Sequence, residues 1–297
     1  MRKLLGLLLL APVIIGSVSC SEGESTNKTS GEAAPEATAK TTNAERLKQT
    51  KPSYVLPSPM EIASLIQKTG INYTEGTLNP TERVEIYTNN YIKALNLGVY
   101  GADLGLILVF DQTQDAINYF TTVKTLAEEL GVLSAFPQSI LNRVEANLGN
   151  RDSLLNIFGN AFADADMYLK ENERNSVSAL VLAGGWIEAI YLSTKFGDDG
   201  KNESIKERVG EQQKSLDVLV EMISQYKNDG DGYALLYAQL EDLKATFAKV
   251  KITYEEGPVV TKDHKTIIET KSHVEITDEV YAEISDKVKT IREQLIN

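Results

Sequence analysis

Apolar residues recur along most of this chain at steps of three and four, the period of a helix buried on one face. Val84, Tyr87, Tyr91 and Leu95 form one such stripe. Ala116, Ile117, Phe120, Val123, Leu126, Ala127 and Leu130 form a second, and Leu154, Phe158, Ala161, Phe162, Ala165 and Leu169 a third. Leu216, Leu219, Val220, Ile223 and Tyr226 mark a fourth, Leu235, Leu236, Leu240, Leu243 and Phe247 a fifth, and Val280, Ile284, Val288, Ile291 and Leu295 the last. Start signals accompany them. Ser58-Pro59-Met60-Glu61 and Asn79-Pro80-Thr81-Glu82 each set a capping side chain before a proline, with a carboxylate at the third helical position. Asp111-Gln112-Thr113-Gln114 fits a capping box. Thr277 is placed to cap the final helix, with Ile276 and Tyr281 spaced as a hydrophobic staple.

Breaks fall around Leu97-Gly98, Gly131, Gly149-Asn150, Glu171 to Asn175, Gly197 to Gly200 and Asp229 to Gly232. Connections this short make sequence neighbours antiparallel. The pattern predicts an all-α fold over residues 58–297, of about eight or nine helices, as an antiparallel helical bundle or a short stack of helix hairpins. No residue signature of the tetratricopeptide kind recurs.

Two stretches depart from the amphipathic pattern. Lys251 to Ile276 is rich in β-branched residues and holds Gly257-Pro258, which predicts an extended segment, a small β-hairpin turning near Asp263-His264 or a long ordered loop. Residues 98–110, Gly-Val-Tyr-Gly-Ala-Asp-Leu-Gly-Leu-Ile-Leu-Val-Phe, are apolar on every side. They predict a buried central helix, with Gly98, Gly101 and Gly105 giving another helix a smooth surface to approach.

Composition narrows the function. The chain carries 30 basic and 42 acidic residues, a formal net charge of −12. So acidic a chain repels phosphate backbones and anionic headgroups, which argues against nucleic acid as a partner and against docking on a membrane through basic residues. The sole cysteine, Cys20, leaves no second thiol for a disulfide or a thiolate metal site. His264 and His273 are the only imidazoles. No metal and no cofactor is expected.

That cysteine has a telling address. Met1-Arg2-Lys3 is a positive start, Leu4 to Ile15 an apolar core too short to span a membrane, and Gly16-Ser17-Val18-Ser19 a small-residue stretch before Cys20. This layout resembles the lipobox signal of bacterial lipoproteins, although Ser17 stands where the family prefers Leu. The resemblance implies removal of residues 1–19 and lipid attachment at Cys20. Ser21 after the cysteine implies delivery to the outer membrane, on its periplasmic side or at the cell surface. Residues 20–57 hold almost no large apolar side chains and predict a disordered tether, about 30–35 Å long on average. As a whole the chain resembles the helical lipoproteins of Bacteroidota-type bacteria, a resemblance that carries over no active site.

Few residues offer chemistry. Asp103 stands alone in the apolar stretch, where a carboxylate needs partners or takes up a proton. Tyr100 and Asp103 are candidates to line a polar pocket, against the plainer role of a bonded core aspartate. In Ala183-Gly184-Gly185-Trp186-Ile187-Glu188 the glycines admit either a ligand beside Trp186 and Glu188 or a crossing helix. Asp198 to Glu203 and Asn228 to Gly232 lack the ligand order of a calcium loop. No Glu-x-x-His pair, nucleophile elbow or phosphate loop is present. The leading expectation is a non-enzymatic, lipid-anchored protein that binds or scaffolds a protein partner in the envelope. The second is a small-molecule binder with a pocket at Tyr100, Asp103, Trp186 and Glu188. The third is an enzyme using Asp103 and Glu188.

Overall fold

The computed structural model of the chain describes residues 59–68, 70, 73, 76–135, 138–147, 150–197, 200–262 and 265–297. The signal segment, Cys20, the tether, the Ser58 cap and the turn at Asp263-His264 lie outside them. Ten α-helices form among the described residues: α1 (Pro59–Lys68), α2 (Asn90–Val109), α3 (Thr113–Glu129), α4 (Gln138–Ala146), α5 (Arg151–Glu171), α6 (Asn175–Phe196), α7 (Glu203–Gly210), α8 (Gln213–Ser224), α9 (Asp231–Phe247) and α10 (Asp278–Ile296). Between α9 and α10 come two strands, β1 (Lys251–Lys262) and β2 (Lys265–Glu275), paired antiparallel as a lone hairpin. The fold is all-α with a small β-hairpin where the β-branched residues sit.

The core is organised around α2 and α6. Asn89 starts α2 by accepting from the Ile92 amide at 2.9 Å. From Ala94 to Val109 every residue of α2 is buried. Both helices are long and apolar enough to cross a membrane by length and composition, yet most of each is covered by other helices of the same domain. Around them pack α1, α3, α5, α7, α8 and α10, with α9 against α8 and α10.

Neighbours in sequence form antiparallel hairpins. Tyr100 meets Tyr119 across α2 and α3. Asp166 meets Ser178 across α5 and α6. Lys244 meets Asp217 across α8 and α9. The central pair is different: Gly98 lies by Gly185, Asp103 by Glu188 and Phe110 by Phe196, in the same order along both segments. Helices α2 and α6, far apart in sequence, therefore run parallel.

Several local expectations change. The Leu97-Gly98 break does not occur; α2 runs through it, because Gly98 is the point of contact with α6 and not a turn. The stripe from Val84 to Leu95 is not one helix. Thr81–Ile86 is a 3-10 segment, and Asn89 begins α2 afresh. Asn79 caps nothing and is buried instead. Asp111 does not cap α3; with φ 59° it is the left-handed residue that ends α2, letting the Gln112 amide reach the Ile107 carbonyl at 3.0 Å. Leu235, placed in the fifth stripe, is 56% exposed. Thr277 does cap α10, accepting from the Val280 amide at 3.3 Å.

The hairpin pairs Lys251 with Glu275 at its base and Lys262 with Lys265 at its far end, with a bulge between Glu256 and Val259 where Gly257-Pro258 falls. Its base is seated on the helices through β2. Val274 is buried, and a side chain at Gly210 would strike it.

Candidate functional site

Asp103 and Glu188, from the middles of the two central helices, are both fully buried. An ion in that setting persists only with a partner. For Glu188 the partner is Arg292 of α10, whose Nε donates to Glu188 Oε2 at 2.6 Å and Nη2 to Oε1 at 2.9 Å. This two-point fit of guanidinium to carboxylate is the strongest geometry such a pair offers. The guanidinium also lies over the Tyr191 ring, 4.0 Å from its centroid. Burial works against the Arg292 charge, but Glu188 outweighs it and holds the guanidinium above its usual value.

Among the described residues Asp103 has no cation of its own; its Oδ2 accepts from the Asn79 amide at 3.1 Å, and its Oδ1 has no N–H or hydroxyl donor. The Glu188 carboxylate stands within bonding range. Two carboxyl groups can bond only through a proton. Burial, followed by the nearby Glu188 charge, pushes Asp103 well above the usual carboxylate range. Burial raises Glu188 as well, opposed by Arg292. Burial and the Glu188 charge thus favour the protonated form of Asp103, while Arg292 favours the ionised form of Glu188.

The other polar groups of this region bind the chain to itself. Residues 77–80 cross α2, and their backbone groups are taken up one after another. The Thr77 carbonyl accepts from Arg292 Nη2 at 3.3 Å. The Asn79 carbonyl accepts from the Tyr119 hydroxyl at 2.9 Å, and the Pro80 carbonyl from the Tyr100 hydroxyl at 2.8 Å. Burial pushes both phenols far above their ordinary range, so each keeps the proton that it donates to its carbonyl. The Asn79 side-chain amide donates to the Tyr87 hydroxyl at 2.9 Å and to Asn96 Oδ1 at 3.3 Å. Asn96 in turn donates to the Leu295 carbonyl at 2.7 Å. Arg83 reaches the Ile296 carbonyl at 3.1 Å and the Asn297 side chain at 2.9 Å. The place where Tyr100 and Asp103 were candidates to meet a ligand is filled by residues 77–80, which α10 holds down.

Trp186 does not join this cluster. Two residues before Glu188 on a helix, it points elsewhere and packs on Phe247 of α9 with ring centroids 6.2 Å apart. Its indole N–H is buried with no acceptor among the described residues. The glycines beside it serve the crossing of α2 and α6. A methyl group on Gly184 would sit 1.9 Å from the Leu95 carbonyl oxygen, and one on Gly98 2.0 Å from that of Val181. Of the four candidates, Tyr100, Asp103 and Glu188 share one network and Trp186 stands apart.

The sequence reading missed Arg292, Asn79, Asn96 and Tyr119. Arg292 had a visible signal, since it is four residues beyond Val288 and three before Leu295, a charge inside the apolar stripe of α10. Asn79 had none, because its Asn-Pro context reads as a cap. Among the described residues no three histidine, cysteine, aspartate or glutamate side chains converge as a metal site would need. Compared with known proteins, the chain matches no family model, no curated protein and no solved structure.

Proposed function

We propose that this chain is an envelope lipoprotein, anchored to the outer membrane by lipid on Cys20, whose helical domain is a non-enzymatic module that binds or scaffolds a protein partner. One observation carries the reading of the domain. The carboxylates with the best claim to chemistry, Asp103 and Glu188, have no exposed surface and are bonded to Asn79 and Arg292 of the same chain. Groups so engaged hold a fold together; they do not meet substrate. Work by such a domain falls to its outer surface. Anchoring rests on the sequence of residues 1–20, and the acidity of the chain leaves the lipid to supply the membrane affinity.

Intact cells supply the test. The N-terminal peptide of the native protein is expected to begin at Cys20 and carry acyl chains by mass spectrometry, and crosslinking is expected to recover a protein partner. An unmodified Cys20, or release from envelopes by washing without detergent, defeats the anchor. Turnover that disappears in the Asp103→Asn variant while the fold survives defeats the non-enzymatic reading.

A further inference from the structure

A two-stranded ribbon presents two edges, each with a row of backbone N–H and C=O groups. In this hairpin the edges differ. β1 contains Gly257-Pro258 at its bulge, and proline has no N–H to offer a neighbour. β2 runs through eleven residues, Lys265–Glu275, without proline, glycine or bulge. Among the described residues it pairs with β1 alone. At its base Ser272, His273 and Glu275 are exposed.

The order of charges in β2 is what names an occupant. The strand reads Lys-Thr-Ile-Ile-Glu-Thr-Lys-Ser-His-Val-Glu, with Thr270 at its centre. Laid antiparallel against its own copy over its whole length, it places Lys265 opposite Glu275 and Glu269 opposite Lys271. Thr270 then faces Thr270. Every lysine and glutamate in the strand meets its opposite, twice over by symmetry. Sliding the copies by two residues sets Glu269 against Glu269 one way and Lys271 against Lys271 the other. Opposite charges across a strand pair stabilise it and like charges oppose it, so one register is favoured. The β1 edge has no such symmetry, since its own full overlap would oppose Lys251 to Lys262.

One further feature agrees. The chain as a whole is at −12, so two copies repel over most of their surfaces. The two strands are the exception: Lys251, Lys262, Lys265 and Lys271 balance Glu255, Glu256, Glu269 and Glu275. A contact between copies meets the least repulsion there.

We propose that β2 pairs antiparallel with β2 of a second copy of this chain, centred on Thr270, giving a four-stranded sheet in the order β1-β2-β2-β1. This rests on reading the domain as a protein-binding module, and is independent of the anchor. Such an interface is isologous, each copy giving and receiving the same contacts.

The test is cysteine crosslinking of the full chain in intact cells, with the unsubstituted chain, whose only cysteine is Cys20, as the background. Thr270→Cys is expected to give a disulfide-linked dimer on mild oxidation. Thr266→Cys is expected to give none, because each Thr266 lies about 26 Å from its copy in this register. Adding Glu269→Lys should cut the Thr270→Cys dimer at least tenfold. Adding Lys271→Glu as well should restore it to within threefold, which shows that the strand still folds and that the charges set the register. Absence of a Thr270→Cys dimer, equal crosslinking at Thr266→Cys, failure of the double swap to restore the dimer, or a Thr270→Cys crosslink to a different protein would each overturn the proposal. The last result would leave the partner-binding reading intact, and a lost anchor would leave the dimer unaffected.

Discussion

At the crossing of α2 and α6, Gly98 and Gly184 bring two backbones into contact, and each side chain nearby is fixed by several elements at once. In the β1–β2 ribbon the strands are joined by backbone hydrogen bonds to each other, and the base is seated on helices at Val274. The crossing is determined by what surrounds it, so a small change there has nowhere to go. The ribbon is determined mainly by itself, and two strands alone are marginal in water. Stability is concentrated in the first region, and freedom to recruit something from outside in the second.

The sharpest way to break this contrast is at the crossing glycines. Gly184→Ala and Gly98→Ala are expected to cost at least about 3 kcal/mol each in urea unfolding, because the added methyl meets backbone and not a movable side chain. Gly159 in α5 is the control. Its space is open, so Gly159→Ala is expected to gain up to about 1 kcal/mol. If both kinds of substitution behave alike, the close approach of α2 and α6 is wrong.

Next in size is Arg292→Ala, which strands the Glu188 charge in the interior and is expected to cost about 3–5 kcal/mol. Adding Glu188→Gln should recover part of that loss, and a double-mutant cycle measures how much.

The proton on Asp103 gives a smaller, pH-dependent signature. Its folded value lies above its unfolded one, so its contribution is fully present below about pH 4, the unfolded value. It is lost as pH rises toward the folded value, at about 1.4 kcal/mol per pH unit. Asp103→Asn keeps an acceptor for the Asn79 amide and a donor for Glu188 without the titration. The variant is expected to flatten the decline and to be the more stable protein at pH 8 by about 1–3 kcal/mol. A wild-type profile that rises from pH 4 to pH 8 relative to Asp103→Asn contradicts the shared proton.

The smallest effect is predicted for the ribbon. Replacing residues 257–269 with Asn-Gly, a two-residue turn joining Glu256 to Thr270, should shift the thermal midpoint of the dilute protein by less than about 3 °C. A large shift would mean that the far half of the ribbon supports the helices after all.

Much of the architecture was legible because burial leaves a period in the sequence. The stripes of α3, α5, α8 and α10 come directly from it, and the unbroken apolar run around Gly98 marked a central helix. Local signals were less reliable. Asn79-Pro80 and Asp111 carry the composition of caps, but the first is drawn into the core by Tyr87 and Asn96 and the second takes the left-handed turn that closes α2. A capping residue and a buried hydrogen-bonding residue are the same residue type, and only the surroundings separate them.

What the sequence settled alone was whatever depends on neighbours along the chain: the helical class, the departure from it over Lys251 to Ile276, and the isolation of Asp103 and Glu188 in apolar helices. The tertiary structure decided which distant residues meet. It ran α2 parallel to α6, turned Trp186 away from Glu188, gave Glu188 to Arg292 from 104 positions along the chain, and laid residues 77–80 across Tyr100 and Asp103. Periodicity reports which face of a helix is buried. It holds no record of what that face is buried against, because a charge is neutralised by whichever partner the fold brings within a few ångströms.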